Sequence, residues 1–297
     1  MILATLSLLI ALPLLVWTAA VLDRAGTGRS ATVLGPLRNG AALMLRRNTP
    51  TEAPDRLNRL LVPGWYLALA LVGLSVVPLA EGVVATDIST GLVLWGVCEA
   101  LTVVVVFLHG WSPNAPLPLI GAYRYVAIGL PAMLMSMFVL IAAALPAQSL
   151  SMIEVVEAQR SLWNVIRQPL GLPLFMVLGL TITLRGPFDY ADGAELAGGT
   201  SAEESGPALA LWQLARLAML VAFSTMAAAV FLGGYLGPVL PGPVWLLLKT
   251  LAVMAATVAC GRWFARMPPS RMLTFLWIVL LPLSFANLAL VGVEVLP

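Results

Sequence analysis

The sequence predicts an all-α membrane protein with eight transmembrane helices plus an interfacial amphipathic helix, a single integral membrane domain over residues 1–297. Three observations carry this. Only 10% of the residues are charged and 60% are hydrophobic, whereas soluble domains carry about 25% charged residues. Mean hydropathy is +0.97. Eight apolar stretches are long enough to cross a bilayer, which takes roughly 20 mostly apolar residues.

The first stretch, 2–22, lacks the basic start of a signal peptide and runs directly into Asp23 and Arg24, so it reads as a span. Segment 31–47, ATVLGPLRNGAALMLRR, differs in kind: Val33, Leu37, Ala41, Met44 and Leu45 recur at helical spacing, while Arg38, Asn39, Arg46 and Arg47 gather elsewhere. That pattern suits a helix lying in the membrane interface, with an ordinary polar loop as the alternative. Further spans follow at 61–80, 90–109, 119–145, 168–184, 207–231, 243–263 and 272–293. Pro131 and Pro282 fall inside spans, where neighbouring helices can satisfy the freed carbonyls. Trp65, Trp95, Trp111, Trp163 and Trp245 sit near span ends, as aromatic belts do. The sequence shows no internal repeat and no soluble domain between the spans.

Charge bounds the function and sets the direction of insertion. A net charge of +2 gives no reason to expect nucleic acid as a partner. Cys98 and Cys260 lie in apolar runs, and with one histidine, His109, they form no metal-ligand spacing; no zinc, haem or iron–sulfur site is expected. Seven arginines, Arg24, Arg29, Arg38, Arg46, Arg47, Arg56 and Arg59, follow the first span. Arg262, Arg266, Arg271, Arg124 and Arg185 fall on the same side, and only Arg160 and Arg167 on the other. The positive-inside rule then places both termini outside a bacterial inner membrane and the 185–206 connection in the cytoplasm. That connection, RGPFDYADGAEL followed by TSAEESG, holds five of the fourteen carboxylates.

The acidic connection resembles the cytoplasmic loop of the H subunit (subunit 1) of complex I, which runs R-x-P-F-D-L-P-E-A-E, then E-L-V-A-G, then T-E-Y-S-G. Arg185, Pro187, Phe188 and Asp189 match the first part; Glu195, Leu196, Gly199, Glu203, Ser205 and Gly206 match the rest, with one residue deleted between. LGPLRNGAALMLRRNTP resembles the family's interfacial helix, with Pro36 and Leu37 in place. GWSPNAPLPLIGAYR resembles its G-W-x-S stretch, ending in Gly121, Ala122 and Arg124; FLGGY, PGPVWLLLK and LLPLSFANL resemble its last spans. Membrane-bound hydrogenases and formate hydrogenlyases have subunits of the same family. The resemblance implies a subunit that docks the peripheral electron-transfer arm, links it to ion translocation and, in complex I, borders a quinone chamber. It implies no catalytic residue or cofactor in this chain: the iron–sulfur clusters belong to partner subunits, and antiporter-like and small membrane subunits are its other neighbours. The residues marked for docking or the chamber are Arg24, Pro36, Arg124, Arg185, Asp189, Asp192, Glu195 and Glu203.

The sequence also departs from that family. Met133 and Ile182 stand where it has glutamates, and Ala215-Arg216-Leu217 where it often has A-E-Y. Three charges of its own lie within spans: Glu99, Arg216 and Lys249. Ionisable groups at such depth are costly and are paired or functional. One reading makes them an ion path; the other makes Glu99 and Arg216 a structural ion pair and lets Lys249 snorkel outward. His109 reads as an ordinary interfacial side chain. Two rivals to the coupling subunit remain open: a stand-alone secondary transporter using the three charges, and a purely structural membrane anchor.

Overall fold

The computed structural model describes residues 2–25, 32–193 and 198–295. Among them the architecture is helical, an isolated bridge between Ala80 and Val83 aside. Seven helices are long and apolar enough to cross a membrane. Six are α1 (Ile2–Ala25), α3 (Arg56–Ser75), α4 (Gly91–Trp111), α5 (Pro116–Ala144), α9 (Gly206–Phe231) and α10 (Gly242–Trp263). The seventh is continuous from α11 (Pro269–Phe275) through a π-helical turn, Leu276–Leu280, into α12 (Leu281–Val295). The short helices α2 (Gly35–Met44), α6 (Met152–Glu157), α7 (Asn164–Arg167) and α8 (Gly171–Ile182) complete the set.

This is an all-α membrane protein: seven of the eight expected spans are long apolar helices, and the eighth, 168–184, contains a shorter one. The stretch 168–184 becomes α8, twelve residues long, or about 18 Å at 1.5 Å per residue, short of a roughly 30 Å hydrocarbon core. The short helices α6 and α7 take up the chain before it, and Leu184 ends it with φ +53°. Leu174, Phe175, Leu178 and Ile182 are buried, so protein rather than lipid surrounds α8. Short as it is, α8 carries the chain from the Gln168 cluster at one end of the bundle to Arg185 at the other.

Helix α9 is the axis of the bundle. From Ala218 to Phe231 every residue is buried, which suits a helix apolar all round and enclosed by others; α3, α10, α1 and α8 pack on it. Pro36 occupies the first turn of α2, where its missing N–H costs nothing. The side chain of Asp55 caps α3, accepting from the N–H groups of Leu57 and Asn58 at 3.2 Å. Trp95 departs from the expected belt: it is fully buried against Gly73, because its turn of α4 faces α3 and not the bilayer.

At the end opposite the arginines, side-chain amides meet the carbonyls that helix ends leave unpaired. Gln159 donates to Val155 and Ala229 and accepts from the N–H groups of Asn164 and Gly233. Asn164 donates to the carbonyls of Ala143 and Val230, at 3.2 and 2.8 Å. Gln168 accepts from Asn287 at 3.0 Å, tying α12 to the same cluster. Lys249 serves this end too, which corrects the expectation of a side chain snorkelling outward. Its ammonium donates to the carbonyls of Gly234 and Leu236, at 2.9 and 2.6 Å, and stands 4.3 Å from the ring centre of Trp163. The turn after α9 supplies the solvation that the outer surface would otherwise give.

Gln159→Leu would strand the Gly233 N–H and the Ala229 carbonyl, at about 1–3 kcal/mol for each buried group left unpaired. Thermal unfolding in detergent should show a markedly lower midpoint than wild type. An unchanged midpoint would mean that the amide cluster does not hold this end together.

Candidate functional site at the arginine-rich end

The connection from Arg185 to Ser205 folds back over the ends of several helices. Three of its carboxylates are spent inside the molecule. Asp189 pairs with Arg266, just beyond α10, Nε lying 2.6 Å from Oδ1. Asp192 accepts from the Ser201 N–H at 3.3 Å and lies 3.6 Å from Arg216. Glu204, with its side chain 1% exposed, receives Arg59 of α3 at 3.0 to 3.2 Å. Arg59 also donates to Asn48 at 2.7 Å, and Thr49 joins Ser205 at 2.9 Å, so the α2–α3 connection is bound to the same loop.

Close backbone approach completes the clamp. Gly121 of α5 lies under the loop: a Cβ there would stand 2.6 Å from the Ala191 carbonyl oxygen and 2.8 Å from the Thr200 nitrogen. Gly198 adopts φ +78°, and a Cβ on it would come within 2.5 Å of the Leu117 oxygen. Arg124 donates to the Gly198 carbonyl at 3.2 Å. The residues that carried the sequence resemblance here are therefore those that press loop and α5 together.

A second cluster ties α1 to the loop and to α10. Arg185 makes a two-pronged pair with Asp23, one prong at 3.1 Å. Arg262 donates to the Asp23 carbonyl and lies 3.7 Å from its carboxylate. Arg24 donates to the Gly35 carbonyl at 3.0 Å, fixing the start of α2. Beneath the loop, His109 is 2% exposed and stacks on Trp212 at 3.6 Å between ring centres. Its Nε2 lies 3.5 Å from the Ser201 hydroxyl. It is a core residue and not the interfacial side chain expected, because the loop covers the end of α4.

The structure thus brings together Arg24, Pro36, Arg124, Arg185, Asp189 and Asp192 at one end, with Glu203 exposed on its surface. Glu195 lies outside the described residues. Arg216 belongs to the same end: it donates to the Leu184 carbonyl at 2.7 Å as well as facing Asp192. The expected Glu99–Arg216 pair is not formed. Glu99 is 1% exposed and accepts from the Ser136 hydroxyl at 3.0 Å. Position along a helix gave both residues depth, but the Arg216 side chain reaches back to the loop. Asp23, Arg59 and Glu204 escaped sequence reasoning. The available signal was that a charge touching an apolar run needs a partner.

A protein-family model described as NADH dehydrogenase matches residues 1–292. The chain is 32% identical over 254 residues to H subunit 2 of the NADH-quinone oxidoreductase of Rhodopseudomonas palustris, covering 85% of this chain and 80% of that protein. The chain belongs to the H-subunit family of these oxidoreductases. It is also similar to the H subunit of the NADH-quinone oxidoreductase of Geobacillus kaustophilus, at 30% identity over 84% of this chain and 77% of that one. The corresponding protein of Dehalococcoides mccartyi matches at 28% identity, over 89% and 75% of the two chains. The family expected from the loop and interfacial-helix motifs is the family found.

The Arg59–Glu204 clamp has a testable energetic sign. Burial pushes the Glu204 carboxyl above its ordinary value, and Arg59 offsets only part of that. A raised folded-state pKa gives stability that is fully present below the unfolded value, about 4.3 for Glu, and lost as pH rises through the folded value. Thermal midpoints taken from pH 4 to 7 should therefore fall with pH in wild type and flatten in Glu204→Gln. Arg59→Met should be the harmful change, since removing one partner of a buried pair costs about 3–5 kcal/mol. Equal pH slopes in wild type and Glu204→Gln would refute this account.

Proposed function

We propose that this chain is the membrane anchor and coupling subunit of an NADH-quinone oxidoreductase-like complex, docking its peripheral electron-transfer arm at the arginine-rich end. In this reading that end is cytoplasmic, both termini lie outside, and α2 rests in the membrane interface with Leu37, Met44 and Leu45 exposed. The observation that carries the proposal is the clamped loop. Ion pairs to Arg59, Arg216 and Arg266 and close approach at Gly121 hold its described residues against the bundle before any partner arrives. A preorganised surface loses less ordering entropy on binding than a mobile one. Asp189 and Asp192 then shape the surface, while Glu203 faces outward as a charge-assisted contact for a soluble partner. The clusters that carry electrons lie in that arm, and antiporter-like and small membrane subunits are the lateral neighbours.

Quinone enters this reading as the acceptor in the relatives' name. The residues fit it in kind: Trp212 Nε1 and Arg185 Nε are buried donors beneath the loop with no hydrogen-bond partner among the described residues. Bound there, a quinone would accept electrons from the arm, and this chain's residues would bind and orient it. The stand-alone transporter loses its support, because Arg216 and Lys249 serve opposite ends of the bundle and Glu99 pairs with neither.

Two experiments test the reading. Glu203→Lys should release the peripheral arm on native gels at moderate salt while the membrane part stays intact. Wild-type retention of the arm across a salt series would defeat docking through this loop. A cysteine at exposed position Ala202, with Cys98 and Cys260 replaced by Ser, should react with an impermeant maleimide only from the cytoplasmic side. Labelling of intact cells from outside would reverse the orientation.

A further inference from the structure

Three arginines mark the turn from α10 into α11: Arg262, Arg266 and Arg271. The first two are set against Asp23 and Asp189. Arg271 is exposed and has no acidic partner among the described residues. It stands at the head of an open groove of about 390 Å³, whose other lining residues are Ser270, Thr274, Phe275, Ile278 and Val279.

The groove follows from the helix itself. Pro282 has no N–H to offer the Ile278 carbonyl, and the turn before it, Leu276–Leu280, is π-helical. A π turn carries more residues than an α turn. Leu276 and Leu280 stay buried against the bundle, while Ile278 between them is 68% exposed. Ser270 and Arg271 precede this turn, so polar groups sit at one end of the groove and apolar ones at the other. Arg271 and Ile278 are about 10 Å apart along the axis at 1.5 Å per residue. The Thr274 hydroxyl donates back to the Ser270 carbonyl at 3.0 Å and needs no partner from the groove.

A lone guanidinium above an apolar trough matches the order of a lipid, phosphodiester first and hydrocarbon below. The depth fits as well. Trp263 and Phe264, where α10 ends, are 84% and 62% exposed, and aromatic side chains gather at the level of the headgroups. An unpaired cation at that level finds its counter-ion in an anionic headgroup. A neighbouring membrane helix would leave it desolvated unless it carried an acid at the same height.

We propose that this groove holds one anionic phospholipid, its phosphodiester on Arg271 and Ser270 and an acyl chain along Phe275, Ile278 and Val279. The site does not depend on docking at the acidic loop or on the direction of insertion, because both leaflets present phosphodiesters.

Native mass spectrometry of the purified full chain in detergent, with phosphatidylglycerol and phosphatidylcholine added in equal amounts, tests this. Wild type should keep one phosphatidylglycerol. Arg271→Gln should lower its retention about fivefold, the factor that one basic side chain supplies near anionic lipid, and Arg271→Lys should keep most of the preference. Arg46→Gln, exposed elsewhere at the same end, should leave it intact. Unchanged retention in Arg271→Gln, or an equal loss in Arg46→Gln, would overturn the site, the latter by showing diffuse attraction only. Ile278→Trp fills the trough and should weaken binding of both lipids; undiminished retention would overturn the acyl-chain seat. Displacement of the lipid by inorganic phosphate would mean a plain anion site and defeat the proposal. In the assembled complex, Ile278→Cys should form no cross-link to another subunit. A cross-link there would give the groove to protein instead of lipid.

Discussion

Moving a charge from water into a low-dielectric interior costs several kcal/mol even after relaxation, and the molecule is arranged around that cost. Most of its arginines are drawn to one end, and four acidic groups there are set against them: Asp23 against Arg185 and Arg262, Asp189 against Arg266, Asp192 against Arg216, Glu204 against Arg59. These pairs join elements far apart in sequence. α1 meets the loop and α10 through a single aspartate, and α3 meets the start of α9 through Glu204. Where burial outweighs the arginine, as at Glu204, the pair fixes geometry more than it adds stability.

The same cost operates differently at the other end, where cations are few and backbone groups need satisfying. There Gln159, Asn164 and Lys249 act as surrogates for solvent, meeting the carbonyls of Ala143, Ala229, Val230, Gly234 and Leu236. A neutral amide at a helix end carries less desolvation cost than a charge, which suits an end built by turns and the short helices α6 and α7. The bundle is thus closed by ion pairs at one end and by amides at the other. α9 runs between them, with no charged residue beyond Arg216.

Helix positions were legible because apolar runs near 20 residues long have few other uses. Arginine asymmetry and the loop motifs pointed to one end and one family. Other features were not legible, for reasons of geometry. Hydropathy cannot separate a lipid-facing span from a helix enclosed by protein, so the shortness and burial of α8 were not visible. Sequence depth fixes height but not the direction of a long side chain, so Arg216 looked like a partner for Glu99 when its guanidinium lies at Leu184. Lys249 was legible as a charge near a span end, but the carbonyls it serves are fixed by a turn in space. The acidity of the loop was plain; that most of it faces inward follows from arginines on other helices.

Glu99 is the exception to the pairing rule, and its place in the bundle gives that exception meaning. The family resemblance implies a carboxylate at the position of Met133, on the buried face of α5. Here α5 offers Met133 and, three residues on, Ser136, whose hydroxyl reaches across the seam to Glu99 of α4. A carboxyl supplied by α4 therefore occupies the same seam, within about one turn of the height at which the family places its own. Two packed helices present side chains to one shared interface, so an acidic group there can come from either without changing what surrounds it. Placed from α4, it is held by the Ser136 hydroxyl and faces the Trp95 indole, with no cation within 4.0 Å among the described residues, so polar side chains and not a counter-charge meet the cost of its burial.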